Sequence, residues 1–138
     1  MLHIGCHLSS SKGFLAMGKT ALSIGADTFQ FFTRNPRGGK AKAVKPEDAA
    51  ALNALMQEHC FAPILAHAPY TMNPCAADAK LLEFAQMVME GDLEMLEYVP
   101  GNMYNFHPGS HVKQGAELGI EKIAALLNRV LHKELHTT

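Results

Sequence analysis

The stretch MYNFHPGSH, residues 103–111, passes from a short apolar run into a loop with two histidines, a proline and a glycine. Met103–Phe106 is predicted to be a β-strand, and the loop begins directly after it. The same arrangement occurs twice more, since His67 follows PILA at residues 63–66 and His7 follows the apolar run at residues 2–6. Chemistry-bearing side chains at strand ends are typical of parallel α/β folds.

The rest of the chain alternates apolar runs with helical patterns. Helical spacing of apolar residues and the positions of proline and glycine set the predicted bounds. Gly91 marks a point where the third helix could break. Strands are predicted at Leu2–Cys6, Thr28–Phe32, Pro63–Ala66 and Met103–Phe106, and helices at Gly13–Gly25, Pro46–His59, Ala77–Pro100 and Glu117–His132. Four strand–helix units in succession predict a parallel sheet, with all carboxyl ends on one side.

Length and composition favour one packed domain, residues 1–138. Apolar residues make up 48% of the sequence, and the net charge of −1 excludes a global basic bias towards nucleic acid. The three cysteines form no CxxC pair and are expected to be free thiols. We see no signal peptide and no membrane span, so we expect a cytoplasmic protein, associated with the nucleoid if it acts on DNA.

Histidines are expected to meet at the shared end of the strands. His7, His67 and His107 each follow a strand, and His111 lies close behind. Neutral imidazole is the commonest zinc ligand, so a metal site is one interpretation. The other is a set of hydrogen-bonded surface histidines. Two histidines alone leave a zinc site short, and the acids in residues 78–97 belong to a helix that we expect on the outer side of the sheet.

The loop after the second strand is basic. Arg34, Arg37, Lys40, Lys42 and Lys45 follow one another without an acid between Asp27 and Glu47, and Gly38 and Gly39 permit close approach of a partner. The loop could contact phosphates, or it could be a solvated surface loop. Tyr70, in HAPYTMN, could stack on a base or cap the end of the sheet.

Four motifs carry a resemblance to a known family. IGCHLSSSKG at 4–13, FQFFTRNPRG at 29–38, LAHAPYTMN at 65–73 and YNFHPGSH at 104–111 resemble endonuclease IV, the abasic-site endonucleases of base-excision repair, in order and spacing. The resemblance implies a xylose-isomerase-like TIM barrel with up to three zinc ions (Zn²⁺) at its carboxyl face and hydrolysis of the phosphodiester 5′ to an abasic site in DNA. It implies zinc binding by His67 and His107, DNA contacts from Arg37 and Tyr70, and a position near the site for His7.

A full TIM barrel needs about 250 residues and eight units, so this chain is expected to be the N-terminal half, a parallel (βα)4 half-barrel. The resemblance places the remaining ligands beyond Thr138, and the chain alone is expected to be incompetent for incision. Unpaired edges of the first and fourth strands favour a homodimer. Two alternatives stay open: a metal-dependent sugar isomerase or epimerase on the related barrel, and a non-catalytic half-barrel. Incision of abasic DNA, or turnover of a keto sugar, would distinguish them.

Overall fold

Parallel strands in sequence order form the sheet of this protein. The computed structural model describes residues 2–38, 40–131 and 134–138. The elements are β1 Gly5–Leu8, α1 Phe14–Ser23, β2 Thr28–Phe32, α2 Pro46–Glu58, β3 Leu65–His67, α3 Ala79–Leu96, β4 Met103–Asn105 and α4 Ala116–Val130, with a short 3₁₀ turn at Ser10–Lys12. The strand order is β1-β2-β3-β4, and every pair is parallel. The predicted (βα)4 half-barrel is confirmed.

The two faces of the sheet have opposite surroundings. Phe31, Ala66 and Tyr104 stand in register across β2, β3 and β4, and they pack with the helices in the apolar core. We call this side the helix face. Because side chains alternate along a strand, Phe32 and His67 belong to the opposite side, which we call the open face. Most side chains of the open face are exposed or half-buried, as expected for the interior side of half a barrel.

Helix starts are secured by acids. Pro46 is the first residue of α2, with Glu47 and Asp48 in its first turn, as the sequence predicts. The Asp48 carboxylate also accepts hydrogen bonds from the N–H groups of Phe14 (2.6 Å) and Leu15 (3.2 Å), which begin α1. Residue 13 has no side chain to cap α1 and adopts a φ of 100°. A residue of α2 therefore caps α1 and ties the two helices together.

The predicted bounds of β1 are wrong. The strand runs over Gly5–Leu8 rather than Leu2–Cys6, because β2 begins at Thr28 and pairs with Gly5. Residues before Gly5 instead meet Asp27: its carboxylate accepts the N–H of Ile4 at 2.9 Å, and its own N–H donates to the Ile4 carbonyl. Leu2 and Ile4 are exposed.

The other bounds are close to the predictions. β2 is confirmed at Thr28–Phe32. β3, predicted at Pro63–Ala66, begins two residues later and ends one residue later, at Leu65–His67. α3 continues through Gly91 without a break, and a Cβ at that position would lie 3.4 Å from an Arg34 Nη atom. The predicted end of α4 at His132, and Gly39, lie outside the described residues.

The outer edge of β4 is partly covered. The Tyr104 N–H donates to the Thr138 carbonyl at 2.8 Å, and the Thr138 N–H donates to the Asn102 carbonyl at 2.9 Å, which is the pattern of a parallel pair. The expectation that this edge is unpaired is therefore wrong at Met103. β1 pairs only with β2 in the part of the chain that the structure describes.

Within the described ranges, no helix has the length and apolarity needed to cross a bilayer.

Candidate functional site

Five rings form a cluster at the carboxyl ends of the strands. The centroids of His67 and His107 are 5.1 Å apart, and Tyr70 lies 5.8 Å from the first and 5.5 Å from the second. The ring centroid of Phe32 lies 5.1 Å from that of His67 and 4.6 Å from that of His7. The cluster arises because His67 is the last residue of β3 and His107 follows the neighbouring β4 by two positions.

A backbone carbonyl fixes the ring of His67. Its side chain is buried, and Nδ1 lies 2.6 Å from the carbonyl oxygen of Ala68. This contact favours the tautomer that carries its proton on Nδ1, so the lone pair is on Nε2. His107 is exposed beside it. In the described residues, no group of three or more histidines, cysteines or acids could hold a metal ion.

His7 lies next to these two histidines without a direct ring contact to them. Its Nδ1 is 3.1 Å from the amide nitrogen of Gln30. Burial lowers the pKa of His7, and the nearby His67 lowers it further. His7 therefore favours the neutral form, which adds no positive charge where a cation would bind.

The loops after β3 and β4 are joined by the side chain of Asn73. Its Nδ2 donates to the Ser110 carbonyl at 3.0 Å, and its Oδ1 accepts the Ser110 N–H at 3.1 Å. The Cys75 thiol donates to the Pro108 carbonyl at 3.1 Å. Gly109 is required between them, because its φ is 81° and a Cβ would lie 2.0 Å from Asn73 Oδ1. These contacts fix the loop of His107 relative to the loop of Tyr70.

His111 points to a different neighbour. Its Nδ1 accepts the N–H of Gly115 at 3.3 Å, and its Cβ packs on Gly119 of α4. The ring contacts found among the described residues do not include His111. The structure therefore places this histidine at the start of α4 rather than in the ring cluster.

The basic loop lies directly beside Tyr70. The Tyr70 N–H donates to the Pro36 carbonyl at 3.0 Å, and Tyr70 itself is 60% exposed. Arg37 is exposed, with its N–H bonded to the Asn35 side chain at 3.0 Å. Lys40 is exposed as well. The loop that carries Arg37 and Lys40 is thus hydrogen-bonded to the residue that bears the exposed ring.

Arg34 was predicted to be part of the DNA-contacting surface, and the structure corrects this. Its side chain is only 4% exposed and turns inward to α3. The guanidinium donates to Asp92 through both Nε and Nη2, and to the Val88 carbonyl at 3.2 Å. A buried guanidinium in an ion pair cannot reach a phosphate of DNA in this conformation.

Asp92 is the residue that the sequence analysis missed. We expected the acids of residues 78–97 on the outer side of the sheet, but Asp92 is buried and also accepts hydrogen bonds from Thr33 and Tyr104. Burial raises the pKa of its carboxyl, and the Arg34 guanidinium opposes that rise. Burial and the Asp92 charge raise the pKa of the Tyr104 hydroxyl, which therefore stays a donor. The signal was available, since Asp92 follows Ala85 and Val88 with the spacing of the buried stripe.

Comparison with protein families and relatives identifies the chain. Residues 19–135 match the family model described as xylose isomerase-like TIM barrel. A probable endonuclease 4 from Alkaliphilus oremlandii is 62% identical over 138 residues, which is 100% of this chain and 49% of that protein. One from Clostridium botulinum is 60% identical over 99% of this chain and 50% of its own length. The chain spans about half the length of the curated relatives it matches.

Solved structures agree on the architecture. Endonuclease IV from Thermus thermophilus has a TM-score of 0.81 at 27% identity, and the match covers 98% of this chain and 49% of that chain. A D-psicose 3-epimerase, at 13% identity and a TM-score of 0.58 over 94% of this chain and 50% of its own, shares the fold alone. The chain therefore belongs to the xylose isomerase-like TIM barrel family and matches about half the length of its endonuclease IV members.

Proposed function

We propose that this chain is the part of a zinc-dependent endonuclease that recognises abasic sites in DNA, and that the complete enzyme hydrolyses the phosphodiester 5′ to them. One observation carries the proposal. At one end of the sheet, the ring centroids of His67 and His107 lie 5.1 Å apart, and an exposed tyrosine and a basic loop lie beside them. Such an enzyme would act in the cytoplasm, at the nucleoid.

His67 and His107 would hold zinc in this proposal. Zinc supplies Lewis-acid stabilisation of the charge that develops on a phosphate oxygen during hydrolysis. The contact of His67 Nδ1 with the Ala68 carbonyl leaves Nε2 as the nitrogen that would bind the metal. His7, kept neutral by burial, leaves the local potential favourable for a cation.

Arg37, Lys40 and Tyr70 would bind the DNA. The two cations suit phosphates, whereas the exposed tyrosine ring suits stacking in the gap that a missing base leaves. The hydrogen bond between Tyr70 and Pro36 holds the two loops together, so phosphate contact and stacking would occur at one position along the duplex.

Binding of DNA by the chain tests the recognition part. We expect tighter binding to a duplex with a tetrahydrofuran abasic analogue than to an intact duplex, measured by fluorescence anisotropy. Arg37→Ala and Lys40→Ala should each reduce the slope of log affinity against log salt by about 1. Tyr70→Ala should remove the preference for the abasic duplex. Lys19→Ala, at an exposed position of α1, is the control and should change neither. Equal slopes for all variants would place the binding surface elsewhere.

Incision tests the catalytic part. Two imidazoles do not hold three metal ions, so we expect the 138-residue chain to incise abasic DNA poorly or not at all. Chelator-sensitive cleavage at a robust rate would contradict this expectation. Turnover of a keto sugar without DNA binding would favour an epimerase, and absence of both would leave a non-catalytic half-barrel.

The outer edge of β1, which has no partner strand among the described residues, supports a homodimer. Strand edges without a partner invite pairing with another chain, although Thr138 occupies part of the β4 edge here. Light scattering on dilute protein measures the mass directly. A monodisperse particle near 15.0 kDa would rule out the dimer.

A further inference from the structure

Asp92 connects three parts of the molecule that sequence separates. It lies on α3, and its carboxylate accepts four hydrogen bonds: Nε and Nη2 of Arg34 to Oδ1, the Thr33 hydroxyl at 2.8 Å and the Tyr104 hydroxyl at 2.9 Å to Oδ2. Thr33 and Arg34 open the basic loop, and Tyr104 is the middle residue of β4. One buried carboxylate therefore links α3, on which it lies, to the basic loop and to β4.

The connection continues to the ring cluster. The Thr33 N–H donates to the carbonyl of His67 at 3.1 Å, and the Thr33 hydroxyl, which bonds Asp92, lies 3.4 Å from the same carbonyl. From the next residue, Arg34, the loop leads to Pro36, whose carbonyl accepts the Tyr70 N–H. Direct hydrogen bonds thus link Asp92 to His67 through Thr33. The path from Asp92 to Tyr70 also includes the backbone between Arg34 and Pro36.

We propose that Asp92 is a positioning residue, which holds the basic loop in register with the strand end that carries His67. This inference rests on the proposed function, since it assigns the loop its role in binding DNA. Gly91 is part of the same arrangement, because the Arg34 guanidinium passes within 3.4 Å of the place where a Cβ would stand. Asp92 touches neither DNA nor metal in this proposal and acts through Thr33 and Arg34.

A buried ion pair does not by itself imply a positioning role. Apolar residues of similar volume often replace such pairs with no loss of stability. They cannot, however, direct Thr33 and Arg34 to a defined acceptor. Stability and positioning can therefore be separated by comparing Asp92→Asn with the apolar double variant Arg34→Met/Asp92→Leu.

Amide hydrogen exchange in the whole chain is the decisive measurement, with thermal melting alongside. Asp92→Asn removes the charge of the group that accepts hydrogen bonds from Thr33 and Arg34. The loop that these residues begin should then open more often, and we expect the amides of Thr33 and Tyr70 to exchange about tenfold or more faster. The Met103 amide, which donates to the Ile64 carbonyl just before β3, is the internal reference. In the apolar double variant we expect the melting temperature to recover while the two amides stay fast.

The outcomes discriminate clearly. Recovery of both amides together with the melting temperature would overturn the proposal, because Asp92 would then serve stability alone. Asp27→Asn, which removes an exposed ion pair at the opposite end of β2, is the matched control and should leave both amides unchanged. If the wild-type chain fails to bind abasic DNA, the proposed function fails, whereas the exchange result still decides the role of Asp92.

Discussion

Phe31 and Phe32 are neighbours in β2, yet their side chains have opposite surroundings. Phe31 is 1% exposed and packs among the core residues of the helix face, next to Phe14 and Phe29. The ring of Phe32 is half-buried and its ring contacts are with site residues, namely His7, His67 and Tyr70. Because side chains alternate along a strand, one of two consecutive residues packs in the core and the other contacts the ring cluster.

The largest effect on the free energy of unfolding should come from replacing Phe31, the member of the pair that lies in the core. Phe31→Ala removes a ring from a fully buried position and should cost about 3–5 kcal/mol of unfolding free energy. Phe32→Ala should cost about 1 kcal/mol, the centre of the distribution for single substitutions. Urea unfolding of both variants measures the difference. Equal losses would mean that the open face contributes to the core as much as the helix face.

The second effect concerns the loops above the open face. Gly109→Ala forces an unfavourable φ and a clash with Asn73, and should cost about 1–3 kcal/mol. Gly101→Ala is the matched control, because Gly101 has a similar φ of 78° with nothing within 4 Å. The excess cost at Gly109, from urea unfolding, isolates the contact between the loops. No excess would show that Asn73 does not join them tightly.

The third effect should appear in ligand binding rather than in stability. His67→Ala and His107→Ala should each weaken zinc binding by at least about tenfold, since a ligand is lost. Isothermal titration calorimetry with zinc chloride gives the affinities. His59→Ala, at the end of α2, is the control and should bind zinc like the wild type. Unchanged affinity in the first two variants would remove them from the metal site.

The smallest effect is a pH dependence at the far end of the sheet. The hydrogen bond to His3 is the main cause that lowers the pKa of the Asp27 carboxyl. A lowered folded-state pKa contributes stability above the ordinary carboxyl range and loses it as pH falls through the folded value. Asp27→Asn should therefore melt below the wild type near neutral pH, and the two should converge in acid. A difference that persists in acid would contradict the ion pair.

The sequence predicted β2 fully and placed His67 and His107 correctly at strand ends, because both depend on local pattern. The prediction that His7 follows β1 is wrong, since His7 lies within that strand. The sequence misplaced β1, since Leu2 and Ile4 look like strand residues and only pairing with β2 decides where the strand begins. It could not place Arg34 either: a basic loop suggests a solvated surface, and the ion pair with Asp92 joins residues 58 positions apart. Contacts of this length are set by packing, which no local pattern encodes.

The strand order has a consequence for how the molecule forms. Each strand pairs only with strands next to it in the chain, so within the described residues no strand has to wait for a distant segment before it can join the sheet. Pairing between consecutive units keeps the contact order lower than a parallel sheet with a non-sequential strand order would have. Successive units could therefore fold in the order in which the ribosome releases them, from the amino end onward.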